Sequence, residues 1–383
     1  MKQILLAVVG MLVMSQPLAG AAQYGDFSYG IYALYSNTIA ITAYTGTGGD
    51  VVIPGEIAGV PVTTVQGGAF SRCPGLTSVT LPGSISNVAW AAFQYCSNFT
   101  TFVVDATNAT YSSLDGVLCS KNQDTLIEFP CGRAGTYTLP SSIRTVRQNA
   151  FTGSIGITNL IIPSTMTSLL DSALWGCDSL ISITVDPDNP SYSSLDGVFF
   201  NKNRTTLIQY PSGRTGRYTV PSGVTTVYGR AFYFVGGLTS VTIPASVTLM
   251  LDWAFMGCTN LQGVYFEAGP PGAAYGVFEG ADRATLYYLP GTVWDPTFAG
   301  RPTALWNPLI QRDDPSFGVQ TSGFGFSITG TTNIPLVIEA CADLANAAWT
   351  LLQTTNIPGD GSIYFNDPNW TNYSARYYRL RPP

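Results

Sequence analysis

The organising segment of the sequence is a short apolar stretch ending in proline, Leu76-Thr77-Ser78-Val79-Thr80-Leu81-Pro82. The pair Ala69-Phe70 precedes it, and Cys73 follows the aromatic residue three positions later. The arrangement recurs, with an aromatic residue or a leucine at Phe70, Phe93, Phe151, Leu174, Phe232, Phe255 and Phe278. The steps are 23, 58, 23, 58, 23 and 23 residues, so a 23-residue unit lies within an 81-residue super-repeat. Periods of this size are typical of stacked solenoids.

The pattern inside one repeat predicts a short strand. Leu76, Val79 and Leu81 point to one side of an extended chain, whereas Ser78 and Thr80 point to the other. The proline that follows ends the strand. One strand per coil, stacked in parallel, predicts a repeat solenoid that is mainly β, with the Ala-Phe segment forming the opposite wall as a short helix or 3₁₀ turn.

The 58-residue steps contain an inserted motif. Its first part, Tyr111-Ser112-Ser113-Leu114-Asp115-Gly116-Val117-Leu118, recurs at 192–199, and its second part, 121–130, recurs at 202–211. Two apolar runs around a Lys-Asn turn are typical of a β-hairpin. The hairpin either projects from the solenoid wall or is merged into it.

Five segments follow from these patterns. Lys2, an apolar run and a small-residue cleavage site predict a signal peptide at 1–21, so that the mature chain is exported without a transmembrane segment. A β cap at 22–50 precedes the solenoid at 51–290. An end cap or linker at 291–308 leads to a C-terminal domain at 309–383. Four alternating apolar runs predict that this domain is an all-β, sandwich-like module.

Composition excludes several functions. Charged residues make up only 10% of the 383, the net charge is −6 and the pI is about 4.6, which argues against nucleic acid as a partner. The sequence has no histidine, so it cannot form a Ser-His-Asp triad or a zinc site with histidine ligands. We therefore expect that the protein is not an enzyme and that it binds no cofactor.

Four of the seven cysteines occupy the slot three residues after the repeat residue, where Ser154 and Val235 stand in other coils: Cys73, Cys96, Cys177 and Cys258. A slot that accepts Cys, Ser or Val is a small packing position, which favours stacked free thiols over disulfides. Cys119 and Cys131 lie in the insert, and its second copy lacks both. The absence of both cysteines from the second copy suggests that Cys119 and Cys131 form a disulfide, but a hairpin would not place them opposite each other. Cys341 stands alone in the C-terminal domain.

The repeat resembles the BspA-type leucine-rich repeat of bacterial surface proteins. The resemblance rests on Ala-Phe-x-x-Cys-x-x-Leu-x-x-Val-x-Ile-Pro-x-x-Val-x-x-Val and extends over about Val51 to Leu289. The insert is similar to a variant turn frequent in that family. The resemblance implies an exported solenoid, usually at the cell surface and associated with adhesion, and supplies no catalytic residues.

Carboxylates are the main candidates for catalytic or metal-binding residues. Asp105 and Asp115 recur 81 residues later as Asp186 and Asp196, and Asp171 recurs as Asp252. Paired acids could hydrolyse a glycoside, but residues copied with the repeat are more often turn caps than active-site groups. The run 186–189, Asp-Pro-Asp-Asn, offers oxygen ligands for Ca²⁺, although too few for a full coordination shell. We therefore predict no catalytic, cofactor or metal residues.

The outward strand positions form the candidate binding face, because solenoids bind extended partners on such a face. These positions are Ser78, Thr80, Thr101, Asn159, Ser182, Thr184, Ser240, Thr242 and Tyr265. The first hypothesis is a secreted or cell-surface protein that adheres to or recognises a protein or glycan outside the cell. The alternatives are a structural spacer of the envelope or matrix, and a carboxylate-based glycosidase.

Overall fold

The computed structural model describes residues 22–32, 37–170 and 172–383. The predicted signal peptide at 1–21 and Asp171 lie outside the described residues. The chain divides into two compact units. The first contains the chain up to Arg133 with Thr145–Ser154 and Leu169–Leu174, and the second contains Ala134–Arg144, Ile155–Ser168 and Trp175–Pro383. Each unit consists mainly of β-solenoid coils, which confirms the predicted fold class.

Short strands dominate the described part of the chain. Up to residue 128 they are β1 (Ala22–Tyr24), β2 (Phe27–Tyr32), β3 (Thr38–Tyr44), β4 (Gly49–Val52), β5 (Glu56–Ile57), β6 (Val60–Val65), β7 (Leu76–Leu81), β8 (Asn87–Val88), β9 (Thr101–Val104), β10 (Tyr111–Leu114), β11 (Val117–Ser120) and β12 (Thr125–Glu128). From 135 to 305 they are β13 (Gly135–Thr138), β14 (Thr145–Val146), β15 (Ile157–Ile162), β16 (Ser168–Leu169), β17 (Ser182–Val185), β18 (Tyr192–Leu195), β19 (Val198–Asn201), β20 (Thr206–Gln209), β21 (Gly216–Thr219), β22 (Thr226–Val227), β23 (Leu238–Ile243), β24 (Leu249–Met250), β25 (Gly263–Phe266), β26 (Gly272–Ala273), β27 (Thr285–Tyr288), β28 (Thr297–Phe298) and β29 (Arg301–Leu305).

The repeat strands stack in parallel, one per coil. In the first unit β4, β7 and β9 align Val51, Val79 and Phe102. These three side chains are buried, whereas Ser78 and Thr80 lie on the other side of β7 and are half-buried. The alternation of apolar and hydroxyl residues therefore places the core as the sequence predicts. β1, β2 and β3 precede these coils as an antiparallel sheet.

The second unit repeats this design in two parallel ladders, β13-β15-β17 and β21-β23-β25-β27-β29. The second ladder extends to β29, beyond the predicted solenoid end at 290. β28 folds back on β29 as an antiparallel partner. Trp294 closes this end of the core, with its ring 4.8 Å from that of Phe266 and 5.3 Å from that of Phe298.

The insert is merged into the wall and does not project from it. In its first copy β10, β11 and β12 form an antiparallel meander, and β12 then pairs in parallel with β14. The hairpin tip completes a coil on the strand side, because the Phe102 amide donates to the Gly116 carbonyl at 2.8 Å. In the second copy the Ile183 amide donates to the Gly197 carbonyl in the same way.

Aromatic rings form columns in the interior. In the first unit Tyr44, Phe70 and Phe93 stack with centroid distances of 5.0 and 4.8 Å, and Phe129 stacks on Phe151 at 4.8 Å. The second unit has a column of four rings at spacings of 5.0, 4.5 and 5.2 Å, formed by Tyr210, Phe232, Phe255 and Phe278. These spacings match the separation of neighbouring strands, about 4.8 Å. Phe129 and Tyr210 show that the insert supplies a ring to the column.

The wall opposite the strands consists of turns. The predicted short helix or 3₁₀ turn does not form there, and the 3₁₀ helix Trp370–Asn372 is the one helix assigned among the described residues. In each coil the residues two before and two after the repeat aromatic or leucine have left-handed backbone angles: Gly68 and Arg72, Ala91 and Tyr95, Asn149 and Gly153, Ser172 and Gly176, Arg230 and Phe234, Trp253 and Gly257, Gly276 and Gly280. A right-handed helix cannot contain such residues.

The left-handed residues turn every second amide of this wall toward the neighbouring coil. The amides of Arg230, Phe232 and Phe234 donate to backbone carbonyls of the next coil at 3.1, 2.7 and 2.8 Å. Phe234 also covers the glycine of that coil, since a Cβ atom on Gly257 would lie 2.8 Å from the Phe234 ring. The turn wall is therefore a second hydrogen-bonded ladder between coils. Where an aromatic ring of one coil covers a residue of the next coil, that residue must be glycine.

The C-terminal module has two antiparallel sheets formed by β30 (Leu309–Gln311), β31 (Gly318–Gln320), β32 (Gly323–Thr329), β33 (Pro335–Cys341), β34 (Thr350–Asn356), β35 (Ser362–Asp367) and β36 (Tyr377–Arg381). β32 pairs with β30, β31 and β35, and β33 lies between β34 and β36. Glu339 is buried and accepts hydrogen bonds from Arg379 at 2.7 Å and from Arg381 at 2.7 Å. The predicted β-sandwich-like architecture is confirmed.

Replacement of Ser154 by cysteine tests whether a thiol is preferred at the packing position three residues after the repeat aromatic residue. The buried Ser154 Oγ has no hydrogen-bond partner among the described residues. In the same slot the thiols of Cys96 and Cys258 donate to the carbonyls of Phe70 and Phe232 at 2.9 and 3.0 Å. An unsatisfied buried hydroxyl costs about 1–3 kcal/mol, so Ser154→Cys should raise the free energy of unfolding by about 1 kcal/mol in urea denaturation. The matched variant Cys258→Ser should lower it, and a loss of stability in Ser154→Cys would contradict the prediction.

Replacement of Gly257 by alanine tests the turn wall. The residue has φ +71°, and an added methyl group meets the Phe234 ring. Left-handed geometry alone costs a non-glycine residue roughly 1–2 kcal/mol, so we expect Gly257→Ala to lower the free energy of unfolding by about 2 kcal/mol. Gly236→Ala is the control, because its methyl group would have no atom within 4 Å. Equal effects of the two substitutions would show that neither the left-handed geometry of Gly257 nor its contact with the Phe234 ring matters for stability.

Candidate binding surface

Three of the predicted face residues lie together in the first unit. Ser78 aligns with Thr101 in the parallel register, and Thr80 aligns with Val52 on one side and Val103 on the other. All three hydroxyl residues are half-buried. Val52 and Val103 are 65% and 46% exposed, so this part of the face alternates hydroxyl groups with apolar side chains.

Asp50 completes this surface, although it lies one residue before the predicted start of the solenoid and was therefore missed. It aligns with Ser78, and its Oδ1 accepts hydrogen bonds from Ser78 Oγ at 2.7 Å and Thr77 Oγ1 at 2.8 Å. These two bonds lower the pKa of the Asp50 carboxyl. The Gly-rich turn before Asp50 concealed the start of the repeat. We call this surface the open face; it comprises Asp50, Val52, Ser78, Thr80, Thr101 and Val103.

A second group of predicted residues lies on β15 and β17 in the second unit. Asn159 aligns with Ser182, and Ile161 aligns with Thr184. The Asn159 Nδ2 donates to Thr136 Oγ1 at 3.2 Å, so side chains of neighbouring strands are linked along the face. Thr184 is exposed, and Asn159 and Ser182 are half-buried.

The last three predicted residues lie where the C-terminal module packs on the ladder. Ser240 is buried, and its hydroxyl donates to the Pro383 carbonyl at 2.6 Å. Tyr265 is only 6% exposed, and its ring stacks on Tyr287 at 4.8 Å. Thr242, which aligns with Tyr265, is half-buried. The expectation that Ser240 and Tyr265 face solvent is therefore wrong.

The physical reason is a hydrophobic cluster shared by the ladder and the module. Its buried members are Tyr265, Tyr287, Phe326, Ile328, Ile334, Leu336, Ile338, Ile357 and Phe365. Trp306 packs against it and donates from Nε1 to the Pro335 carbonyl at 2.9 Å. Two neighbouring tyrosines on an outward strand position expose a large apolar area, and burying that area against the module is favourable.

The repeated aspartates support turns. Asp115 and Asp196 have φ 49° and are each followed by a left-handed glycine, the arrangement of a two-residue hairpin turn. Arg133 and Arg214 donate to their carbonyls. The Asp105 carboxylate accepts from the Thr107 amide at 2.8 Å, and the Asp252 carboxylate accepts from the Tyr275 amide at 2.9 Å. Asp105 is therefore the local cap that the sequence favours, whereas the Asp252 carboxylate links its coil to the next one, 23 residues further on.

The loop considered for Ca²⁺ is closed by a lysine. Lys202 Nζ donates to the carbonyls of Pro187 and Asn189 at 2.9 and 2.6 Å, so a cation from the chain itself occupies these oxygens. The Asn189 side chain is buried and takes part in four hydrogen bonds with backbone groups. Among the described residues no group of three or more His, Cys, Asp or Glu could hold a metal ion.

Glu128 is a buried acid that no sequence pattern singled out. Its Oε1 accepts a hydrogen bond from the Phe93 amide at 3.1 Å, where the equivalent Phe70 amide donates to a backbone carbonyl. Burial raises the pKa of Glu128 to about 8, although the Phe93 amide and Arg147 oppose this rise. In the second copy of the insert the position is Gln209, whose Nε2 donates to the Tyr210 carbonyl at 3.1 Å.

A family model matches more than half of the chain. The model described as "BspA type Leucine rich repeat region" matches six copies over residues 56–116, 129–262 and 214–288, which together exceed half of the chain. No curated protein sequence matches the chain. Within the described part of the chain, no helix has the length and apolar character needed to cross a membrane.

Several solved structures are similar. A leucine-rich cell surface protein from Faecalibacterium prausnitzii is 21% identical, with 75% of this chain and 95% of that chain covered and a TM-score of 0.38. A leucine-rich repeat protein from Eubacterium ventriosum is 21% identical, with 66% and 74% covered and a TM-score of 0.42. The pneumococcal vaccine antigen PcpA is 19% identical, with 70% and 81% covered and a TM-score of 0.42.

Glu128→Gln tests the buried acid. The folded pKa of about 8 lies above the ordinary value of 4.5, so this group's contribution to stability is complete below pH 4.5 and is lost as the pH rises through 8. Relative to wild type, Glu128→Gln should therefore gain stability as the pH rises from about 5 to about 8, with a slope of up to about 1.4 kcal/mol per pH unit for one proton. Urea denaturation at several pH values measures this difference.

The reciprocal variant Gln209→Glu provides the control, because it places an acid at the matching position of the second copy. We expect it to lose stability over the same pH range. A difference between Glu128→Gln and wild type that does not change with pH would show that Glu128 does not titrate there.

Proposed function

Because the chain belongs to the BspA-type leucine-rich repeat family, we propose that it binds a protein or a glycan outside the cell through the strand face of its solenoid, and that it is secreted or displayed at the cell surface. The family supports a role in binding or recognition. The proposed role requires no catalysis, cofactor or nucleic acid. It agrees with the absence of histidine from the sequence and with a net charge of −6.

The observation that carries the proposal is the open face. Three parallel strands, β4, β7 and β9, present two aligned columns of side chains, one ending in Thr101 and the other in Val103. Exposed valines beside hydroxyl groups and the Asp50 carboxylate offer apolar contact together with hydrogen-bond donors and acceptors. Such a combination fits a polar ligand with apolar patches, as in a sugar ring or an extended peptide.

A spacer role is the second candidate, and one observation favours it. Tyr265 and Tyr287, two aromatic residues of the strand face, are buried under the C-terminal module. The open face has no Trp, Tyr or Arg, which are the usual anchors of tight binding. Under this alternative the repeat array only holds other parts of the envelope or matrix apart.

Binding assays on two arrays separate the candidates. The chain is applied to a glycan array and to an array of purified extracellular matrix proteins. Thr80→Arg together with Thr101→Arg should weaken the wild-type binding at least about tenfold, a loss of about 1.4 kcal/mol, because two long charged side chains cover the open face. Ser86→Arg, at an exposed position between strands β7 and β8, should leave binding unchanged.

Circular dichroism checks that all variants are folded. A folded wild-type chain that binds nothing on either array would favour the spacer role. Binding that survives the double substitution would place the ligand elsewhere and would refute the assignment to the open face.

A further inference from the structure

Two cysteines of the first unit lie against each other outside the open face. Cys96 occupies the repeat slot, and Cys131 lies 35 residues later at the end of the insert. The Cys96 amide donates to Cys131 Sγ at 3.0 Å, and Cys131 Sγ donates to the Cys96 carbonyl at 3.1 Å. The Cys131 sulfur is therefore fixed beside the backbone of Cys96, in the neighbouring coil.

Each thiol affects the ionisation of the other. The neighbouring Cys131 lowers the pKa of Cys96, and the neighbouring Cys96, together with burial, raises the pKa of Cys131. Both side chains are buried. The Cys96 thiol donates to the Phe70 carbonyl at 2.9 Å, so this hydrogen bond must break when Cys96 forms a bond to Cys131. Because the Cys131 sulfur lies 3.0 Å from the Cys96 amide nitrogen and 3.1 Å from the Cys96 carbonyl oxygen, we expect a disulfide between the two residues to require no large backbone movement.

The second copy of the insert shows that folding does not require a thiol at this position. Ser212 corresponds to Cys131, and its Oγ donates to the Cys177 carbonyl at 2.6 Å. The adjacent backbone bond is also the same, since Gly132 donates to Phe99 at 2.8 Å and Gly213 donates to Leu180 at 2.8 Å. Serine satisfies the backbone contact equally well, so a cysteine at 131 adds a reactive group that packing alone does not explain.

We propose that Cys96 and Cys131 form a disulfide bond when the chain folds under oxidising conditions, joining a repeat coil to the coil completed by the insert. The oxidant is a disulfide of low molecular weight, with oxidised glutathione as the experimental probe. The Cys96 thiolate attacks one sulfur of the probe and releases one glutathione thiolate. The Cys131 thiol then loses its proton and attacks the Cys96 sulfur of the mixed disulfide, releasing the second glutathione. The protein loses two electrons and two protons, and one oxidised glutathione becomes two reduced ones.

Cys119 is a poor competitor for Cys131, although both lie in the insert. It aligns with Leu126 across the hairpin, and burial raises its pKa to about 12. In the described structure Cys96 and Cys131 are free thiols. The sequence could not identify the pair, because its two members belong to different motifs.

Mass spectrometry tests the proposal. The full chain is refolded with oxidised and reduced glutathione, alkylated, and digested with trypsin and chymotrypsin. These proteases separate Cys96 from Cys73 and Cys119, since Tyr95 and Phe99 lie between them. We expect a peptide containing Cys96 linked to one containing Cys131, with the loss of two alkylatable thiols compared with the reduced chain. The urea midpoint of the oxidised chain should be higher and should fall on reduction.

Two variants test whether the disulfide joins Cys96 to Cys131 and no other pair. Cys131→Ser should fold, because Ser212 has that role in the second copy, and it should abolish the linked peptide. Ser212→Cys should create the corresponding link to Cys177. The proposal is overturned if Cys96 and Cys131 are both alkylated after oxidative refolding, if Cys131 is linked to another cysteine, or if the loss of two thiols persists in Cys131→Ser.

Discussion

Hydrogen bonding between successive coils is the constraint on which the structure depends. Within each unit, coils that carry the repeat motif are linked to such neighbours twice, by the parallel strands on one wall and by alternate amides of the turns on the other. Both ladders fix the distance between coils near 4.8 Å. The aromatic rings inside are stacked at the same spacing, so the backbone bonds and the ring contacts are satisfied together. A coil cannot change its rise without breaking one of these two sets of interactions.

Much of the solenoid could be predicted because its positions are repeated. The inward residues Leu76, Val79 and Leu81 and the outward Ser78 and Thr80 follow from the alternation of a strand, and the structure places them as expected. The turn wall was predicted less well. A short apolar segment with a small residue is compatible with helix, and left-handed angles at residues as large as Trp253 and Phe234 are not expected from propensity. Only the pairing of their amides with the next coil explains them.

The surface was harder to predict than the core. The outward position of Tyr265 was identified correctly, but its burial depends on a module more than 40 residues away in sequence. Such contacts are tertiary, and a local pattern does not encode them. The same holds for Glu128, which is buried because its side chain takes the place of a backbone carbonyl opposite Phe93. Asp50 was missed for a smaller reason, a start of the repeat that lies one residue earlier than predicted.

The ring supplied by the insert has a consequence for how such a chain can grow. Phe129 stacks on Phe151 at the same spacing as Phe70 on Phe93, so the ring of the insert meets the coil that follows it at the spacing of the other rings. A gene duplication of one whole 81-residue block would present matching rings and matching ladder amides at both junctions. Lengthening by blocks therefore needs no compensating mutations, whereas gain or loss of a few residues within a coil would shift every later ring out of step. Natural variation in length among related chains should come in whole coils.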